Sequence, residues 1–284
     1  MDNTEYLRPS NLKELGQIMA GHKDRATVIA GGTNLIPQMR NGGKSPELIV
    51  DIGDIQDFSF IMEDDGFISI GAATTIAEIA SSDIVSTFSP ILASSARELG
   101  NPLIRNRATI GGNLANASPC ADTALPLLAL DAVIRILSPG DKTRNVVLNN
   151  FFHGYRFTDL GKGEIITRII FPKPDDETTG SQIKIGLRNA AAISVASIAV
   201  MLTMEGKICR KARIAAGSVA PIPMRVSRVE QLLENQEISA TLLEQCKAIM
   251  KKEISPISDI RGSAEYRSYV TAVILERNIQ RALS

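Results

Sequence analysis

The stretch from Thr109 to Asp122 reads TIGGNLANASPCAD and contains the strongest binding motif of the chain. Its adjacent Gly111 and Gly112 lack Cβ atoms, so the backbone can turn sharply there and a large ligand can approach its N–H groups. Consecutive N–H groups that face one concavity form an anion nest, a common way to hold a pyrophosphate. The stretch contains no histidine, so it predicts a binding loop rather than a catalytic centre. An ordinary glycine-rich turn is the alternative.

A second glycine loop lies about 80 residues earlier in the sequence. The apolar run Thr27–Ala30 predicts a buried strand, and it leads directly into Gly31-Gly32-Thr33-Asn34. A strand that opens into Gly-Gly-Thr is typical of phosphate-binding loops. The loop lacks the G-x-G-x-x-G spacing of a Rossmann fingerprint and the lysine of a P-loop, which excludes both of those motifs. Two such loops in one chain favour a shared ligand over two unrelated turns.

Composition narrows the class of protein. At 284 residues the chain is long enough for two domains, and its 31 basic and 31 acidic residues cancel. A neutral balance gives no indication of nucleic acid or an anionic membrane as a partner. No apolar run is long enough to cross a bilayer, and the polar N-terminus is unlike a signal peptide. We therefore expect a cytoplasmic protein.

The residues with metal-binding or catalytic chemistry are few and scattered. Cys120, Cys209 and Cys246 are isolated and odd in number, so they predict neither a disulfide framework nor an iron–sulphur or zinc ligand set. The two histidines, His22 and His153, lie far apart, and neither has a neighbour that predicts catalysis. We predict no metal in this chain.

Hydrophobic periodicity predicts mixed helices and strands before residue 172. Apolar spacing behind a Ser10 cap predicts a helix over Ser10–Met19, and Thr75-Ile76-Ala77-Glu78 is a capping box. Asp64-Asp65-Gly66 predicts the turn of a hairpin. Strands are predicted over Thr27–Ala30, Leu48–Ile52, Phe58–Ile61, Phe67–Ile70, Ala132–Leu137, Asn145–Leu148 and Glu164–Phe171, and helices over Ile84–Leu99, interrupted at Pro90, and over Thr123–Leu130.

The segment Pro172–Gly180, which contains two prolines and no hydrophobic residue, predicts a domain boundary. Beyond it, strands are predicted over Ile183–Leu187, Ser194–Met204 and Ala212–Val219, followed by two or three helices. Ser263 is the predicted N-cap of the last helix, with Glu265 in its first turn. An apolar stripe on that helix is predicted to lie in the core: Tyr266, Tyr269, Val270, Val273 and Ile274.

With both loops placed, the sequence resembles the FAD-binding (medium) subunit of the molybdenum hydroxylases, the xanthine dehydrogenase and carbon monoxide dehydrogenase family. The resemblance covers nearly the whole chain. It rests on five motifs: Ala30–Leu35 (AGGTNL), Ile104–Asn113 (IRNRATIGGN), Ala117–Asp122 (ASPCAD), Ala220–Arg225 (APIPMR) and Ser263–Arg267 (SAEYR).

The resemblance implies an α+β protein in two domains. Residues 1–175 would form a two-subdomain FAD-binding fold of the vanillyl-alcohol oxidase/PCMH type, with subdomains of about 1–54 and 55–175. Residues 181–284 would form a smaller α+β C-terminal domain, a three-stranded sheet with helices.

The resemblance also implies the cofactor site, with FAD extended between the two N-terminal subdomains. The pyrophosphate would meet the N–H groups of both loops, and Thr33, Thr109 and Asn113 would add side-chain hydrogen bonds. Asp122 would bond a ribose or ribityl hydroxyl, and Ile166 would meet the flavin ring through its backbone. Lys184 would lie near the pyrimidine end, where a cation stabilises the negative charge of reduced flavin. The implied cofactor-binding residues are Ile29, Ala30, Gly31, Gly32, Thr33, Asn34, Leu35, Ile36, Thr109, Ile110, Gly111, Gly112, Asn113, Asp122, Ile166 and Lys184.

Each of these roles has a structural alternative. Asp122 could cap the helix that begins at Thr123, Lys184 could be a surface lysine on a strand, and Arg188 could form a structural ion pair. Asn34 is neutral at a position that is often acidic in the family. Ile193 replaces the aromatic ring that some relatives carry beside the flavin, which leaves room for a nicotinamide.

The resemblance implies an electron-transfer subunit without catalytic residues of its own. A molybdopterin-binding large subunit would oxidise the substrate, a 2Fe–2S small subunit would relay electrons, and the flavin would pass hydride to NAD in a xanthine dehydrogenase-like reaction. A stand-alone flavin-dependent oxidase and a FAD-free assembly or interaction subunit are the alternatives.

Overall fold

The computed structural model describes residues 4–22, 24–140, 142–188 and 191–284. The N-terminal part is a parallel sheet with the strand order β1-β3-β2 and helices on its connections. The strands are β1 (Glu5–Leu7), β2 (Ala26–Ile29) and β3 (Leu48–Asp51), and the helices are α1 (Leu12–His22) and α2 (Leu35–Arg40). The cap of α1 is Asn11, whose side-chain oxygen accepts from the Glu14 amide at 3.0 Å, and not Ser10.

The second part is built on an antiparallel sheet with the order β4-β5-β10-β6-β7, one face of which packs on a layer of short helices. Its strands are β4 (Ile61–Asp64), β5 (Phe67–Gly71), β6 (Val133–Ser138), β7 (Lys142–Val147) and β10 (Ile165–Pro172), and β8 (Phe152–Gly154) pairs with β9 (Phe157–Thr158) outside this sheet. The helices are α3 (Ile76–Ser81), α4 (Asp83–Phe88), α5 (Pro90–Glu98), α6 (Pro102–Arg105), α7 (Ile110–Asn116) and α8 (Ala124–Ala129).

Several elements begin or turn at the residues that the sequence predicted. Thr75 and Glu78 form the capping box of α3, and Pro90 begins α5 after α4 has ended. The hairpin β4–β5 turns at Asp65 and Gly66, both with positive φ, as a two-residue hairpin turn requires. The first predicted strand of that hairpin, Phe58–Ile61, was wrong. Phe58 lies buried in a short 3-10 turn, and its carbonyl accepts from Ala73, which bends the chain there.

The C-terminal part is a second antiparallel sheet covered by three described helices. The three predicted strands are present with different bounds, as β11 (Thr178–Gly186), β12 (Ser194–Glu205) and β13 (Ile208–Gly217). The two-residue strands β14 (Met224–Arg225) and β15 (Gln236–Glu237) both pair with β13. The helices are α9 (Ser227–Leu233), α10 (Ala240–Glu253) and α11 (Ala264–Leu283). Strand β11 begins within the segment predicted as a break, because Thr178–Gly180 already pair with β12.

The C-terminal sheet contributes to two cores. One face packs on α9, α10 and α11. From the other, Ala199, Met201 and Ala215 belong to the same hydrophobic core as the helix layer of the second part. Strands β12 and β13 therefore join the two domains through a common core. None of the helices in the described part of the chain combines the length and the hydrophobicity of a membrane-spanning segment.

Candidate functional site

Both glycine runs line one cleft, between the parallel sheet and the helix layer. Gly32, after β2, and Gly112, in α7, both face it, and its volume is about 280 Å³. Ten of the sixteen residues predicted to bind the cofactor line this cleft: Ile29, Ala30, Gly31, Gly32, Thr33, Asn34, Leu35, Thr109, Gly112 and Asn113. The two glycine runs, which are 80 residues apart in the sequence, therefore line the same cleft.

The first glycine loop presents its backbone donors to the cleft. Gly32 has φ +70°, in the left-handed region that favours glycine. Gly31 lies against the Arg107 backbone, where an added Cβ would be 1.7 Å from the carbonyl oxygen. No amide from Ala30 to Leu35 has a hydrogen-bond acceptor among the described residues. Such a row of free donors is the arrangement that holds a pyrophosphate.

The second run differs from the predicted binding loop, because its glycines lie in a helix. Thr109 is the N-cap of α7, and its side chain accepts from the Gly112 amide at 3.1 Å. The Ile110, Gly111 and Asn113 amides donate to Thr74 O, Ala72 O and Thr109 O at 3.1, 2.9 and 2.9 Å. Four of the amides that the sequence assigned to a pyrophosphate therefore already have protein acceptors. The glycines serve close packing instead, since a Cβ on Gly111 would be 2.7 Å from Ala72.

Polar side chains connect the walls of the cleft. The Asn34 side-chain amide donates to the Asn116 side-chain oxygen, which links the first loop to the end of α7. Asn113 accepts from the Thr123 hydroxyl at 2.8 Å through its side-chain oxygen. The side-chain nitrogen of Asn113, Nδ2, and the Thr33 hydroxyl have no partner among the described residues, so both remain able to bond a ligand.

A smaller cavity of about 110 Å³ continues from the cleft towards Ile166. The two spaces share Val28, Ala30, Gly112 and Ala115. Of the remaining predicted residues, Gly111 and Ile166 line this smaller cavity, whereas the Ile110 side chain is fully buried in the core. Ile36 lines neither space, and its amide donates to Gly32 O at 3.1 Å.

Asp122 and Lys184 form a buried ion pair between the two domains. Lys184 Nζ donates to Asp122 Oδ2 at 2.7 Å, and the side chains are 6% and 10% exposed. Lys184 is therefore no surface lysine. Asp122 does not cap α8, which begins after Thr123 without a side-chain cap. Burial raises the pKa of Asp122, and the Lys184 ammonium opposes that rise. Its other oxygen, Oδ1, is buried without a partner among the described residues, and Asp122 lines neither the cleft of the glycine runs nor the smaller cavity.

Lys184 also borders a basic cleft of about 610 Å³ between α5, α6 and β11. Arg97, Arg105 and Arg188 line it, and none of them forms an ion pair with a carboxylate in the described part of the chain. Arg188 Nε instead donates to Ala191 O at 3.1 Å, so the structural ion pair considered for it is absent there. Ile193 is 61% exposed.

The predicted set lacks nine residues that line the cleft of the two glycine runs, the main cleft, and the polar side chains Gln38, Lys44 and Asn116 are among them. Asn116 lies inside the glycine stretch, and its position one turn beyond Gly112 was a usable signal. Gln38 and Lys44 follow the first loop in a polar segment without a motif. The described residues contain no group of three or more His, Cys, Asp or Glu side chains able to hold a metal ion.

Comparison with known proteins places the chain among flavoproteins. Residues 2–174 match the family described as the FAD binding domain in molybdopterin dehydrogenase, and residues 181–282 match the CO dehydrogenase flavoprotein C-terminal domain. Together these two matched domains define a FAD-binding subunit. The free amides of the first loop fit the phosphate groups of that cofactor.

The similar proteins are subunits of several dehydrogenases. The chain is 33% identical to the glyceraldehyde dehydrogenase medium chain of Sulfolobus acidocaldarius, over 95% of this chain and 94% of that one. It is 30% identical to the xanthine dehydrogenase FAD-binding subunit of Escherichia coli O157:H7, over 100% and 97%. The structure matches a chain of reconstituted CO dehydrogenase from Oligotropha carboxidovorans with a TM-score of 0.94, 31% identity and coverage of 98% and 97%. The chain belongs to the FAD-binding subunits of the molybdenum hydroxylase family.

Proposed function

We propose that this subunit carries electrons from an iron–sulphur partner to NAD, within a xanthine dehydrogenase-type complex that also contains a molybdopterin-binding large subunit. FAD, when bound, supplies the exchange between single-electron transfer and hydride transfer. The observation that supports this proposal is the single cleft lined by both glycine runs. We propose the cytoplasm as the place where the complex acts.

The residues of this chain bind and orient the cofactor rather than react. The amides of Ala30 to Leu35 hold the pyrophosphate, and the Thr33 hydroxyl and the Asn113 side-chain amide add hydrogen bonds. Asp122 Oδ1 accepts from a hydroxyl of the ribose or ribityl chain. Lys184 places a positive charge beside the pyrimidine end, where it stabilises reduced flavin.

The choice of NAD as acceptor is supported by the surroundings of Lys184. The basic cleft offers three guanidinium groups without carboxylate partners in the described chain, and such groups attract phosphates. The exposed aliphatic Ile193 leaves an apolar surface on which a nicotinamide ring can lie.

Flavin binding and reduction test this function. The purified full chain is expected to take up one equivalent of FAD and to show a flavin absorbance band that NADH bleaches under anaerobic conditions. Lys184→Gln is expected to lower the flavin reduction potential while FAD still binds, because the cation is lost. Arg97→Gln/Arg105→Gln is expected to raise the KM for NADH without changing that potential.

The alternatives give different results in the same experiments. A FAD-free assembly subunit would remain colourless after FAD is added. A stand-alone oxidase would turn over a substrate with oxygen and no partner, but the described residues that line the main cleft include no histidine, cysteine or carboxylate to act as its base. Hydroxylation of xanthine by the isolated chain would contradict the proposal.

A further inference from the structure

Two arginines lie directly opposite each other on the outer face of the sheet β4-β5-β10-β6-β7. Arg135 on β6 and Arg168 on β10 are cross-strand partners. Side chains of opposed residues in an antiparallel pair share a face and lie close together, so two like charges there are destabilising. A negative charge bound beside the two guanidinium groups would therefore be stabilising.

A β-bulge produces this pairing. Ile166 faces Ile136, and a regular ladder would then place Thr167 opposite Arg135. The register shifts between Ile166 and Arg168 instead, so that Arg168 takes that position. The Thr167 hydroxyl donates to Arg135 O at 3.1 Å, and Thr167 O accepts from the Ala72 amide at 3.0 Å, which fixes the bulge. Bulges commonly re-aim a side chain next to a functional site.

Neither arginine forms an ion pair with any carboxylate that the structure describes. Arg135 makes a long contact of 3.4 Å from Nε to the Asn145 side-chain oxygen. Arg168 lies over the Phe60 ring, 4.8 Å from its centroid. Asp57 borders the same cleft and pairs with neither guanidinium. Most of the N–H donors of the two guanidinium groups therefore have no acceptor among the described residues.

The two arginines line a cleft of about 480 Å³ between the sheet and the segment that precedes β4. Leu12, Phe60 and Met62 form an apolar wall, and Leu12 and Met62 are exposed although they are hydrophobic. The cleft shares no residue with the main cleft or with the basic cleft at Lys184. It is a separate concave site with convergent donors and an apolar wall, which is typical of small-molecule sites.

We propose that the cleft at Arg135 and Arg168 binds a small ligand that carries two or more carboxylate or phosphate groups. Each guanidinium can hold one oxyanion group through two parallel N–H donors, and a dianion neutralises the opposed pair. The apolar wall receives the carbon or ester portion of the ligand. The site is independent of the flavin and of the proposed electron transfer.

The test uses the full chain and the methyl resonance of Met62, one of eight methionines in the sequence. The chain is labelled with ¹³C-methyl methionine, Met62→Leu assigns the resonance, and inorganic pyrophosphate and citrate are titrated separately as phosphate and carboxylate probes. We expect a saturable shift of the Met62 resonance with at least one probe. The probe that binds more tightly identifies the chemical group.

Two variants and a matched control locate the effect. Arg135→Gln and Arg168→Gln are each expected to weaken binding at least tenfold, and circular dichroism checks that both remain folded. Arg97→Gln/Arg105→Gln removes two arginines of the basic cleft and is expected to leave the Met62 titration unchanged. The proposal is overturned if neither probe shifts Met62, if Arg135→Gln and Arg168→Gln bind as the wild type does, or if only the control variant loses the shift.

Discussion

At the scale of single residues, Gly31 is required by a close approach of two backbones. An added Cβ would be 1.7 Å from Arg107 O and 3.1 Å from the Ala108 Cα, both rigid backbone atoms. The sequence predicted a glycine loop for ligand approach, and the structure adds a packing reason that lies far along the chain. Only the fold brings residue 107 next to residue 31, so that reason was not predictable.

Gly31→Ala is expected to destabilise the chain by about 1–3 kcal/mol, because the loop must move away from Arg107. It should also weaken FAD binding, since the free amides move with the loop. Gly21→Ala is the control: Gly21 lies in α1 with nothing within 4 Å of an added Cβ, so it should stabilise by about 0.5–1 kcal/mol. Urea denaturation and FAD titration of both variants make the comparison. Equal stability of the two variants would contradict it.

Glu164 has the largest hydrogen-bond network near the small cavity. Its carboxylate accepts from Ser138 Oγ at 2.6 Å, Arg144 Nε at 2.9 Å and the Gly161 amide at 2.8 Å. Chiefly because of the Arg144 hydrogen bonds, its pKa falls from 4.5 to about 2. A folded-state pKa below the unfolded value contributes stability above pH 4.5, and that contribution is lost as the pH falls towards 2.

Glu164→Gln is therefore expected to cost about 1.5–3 kcal/mol at pH 7, the range for hydrogen bonds to charged groups. The difference between wild type and variant should shrink between pH 4.5 and pH 2, where the wild-type carboxylate becomes protonated. Denaturant midpoints at pH 7, 4 and 3 measure this difference. A difference that stays constant over this pH range would show that the carboxylate charge does not contribute.

At the scale of elements, helix α11 shows what an apolar pattern leaves out. Ser263 caps it as predicted, through the Tyr266 amide at 3.1 Å. The predicted core stripe was wrong at Tyr266 and Tyr269, which are exposed. The buried face instead includes Arg267, 1% exposed, whose Nη1 donates to Val195 O at 3.0 Å and Ser218 O at 2.9 Å. The Val195 and Ser218 carbonyls, near the ends of β12 and β13, favour a buried guanidinium there. Hydrophobic periodicity along the helix cannot predict these carbonyls, because they belong to other elements.

Arg267→Met is expected to destabilise the chain by about 3 kcal/mol or more, because it leaves the buried Val195 and Ser218 carbonyls without this donor and removes one of the donors to the Asp259 carboxylate. Arg267→Lys should rescue little, since an ammonium cannot reproduce the planar fork. Arg277→Met, at an exposed position of the same helix, should change stability by less than about 0.5 kcal/mol. Thermal unfolding followed by circular dichroism ranks the three variants, and a full rescue by lysine would contradict the fork argument.

The second glycine run gives the same lesson for a short element. The Gly-Gly pair predicted an open loop, because a sequence shows the glycines but not the residues that lie next to them in the folded protein. In the fold, the start of α7 lies beside Ala72 and Thr74, whose carbonyls accept its amides. The residues of the cleft were predictable from the motif, whereas the division of donors between protein and ligand depends on that tertiary contact.

At the scale of the whole molecule, the two domains share a core. Ala199, Met201 and Ala215 pack with residues of the second part, and helix α8 contacts both β12 and β13. Composition alone indicated a boundary at Pro172–Gly180, because prolines and charges stand out in a sequence. The packing across that boundary involves small residues such as alanine, which carry no such signal. The boundary between 175 and 181 stays a prediction.

The full chain is expected to unfold in one cooperative transition, because separation of the domains would expose this shared core. Calorimetric and van't Hoff enthalpies should agree. A fragment of residues 1–175 should unfold at a lower temperature than the full chain and bind a dye for exposed apolar surface. Two resolved transitions in the full chain, or a fragment as stable as the whole, would show that the domains are independent.

The side-chain hydrogen bond between Asn34 and Asn116 connects the first loop to α7 across the space proposed for the cofactor. A dinucleotide that enters there must open or bypass it, and a neutral hydrogen bond of about 0.5–1.5 kcal/mol can slow such an opening by up to roughly tenfold. If the hydrogen bond forms again after binding, it also slows release of the cofactor. Retention of the cofactor during repeated turnover would then depend on two asparagine side chains that take no part in electron transfer.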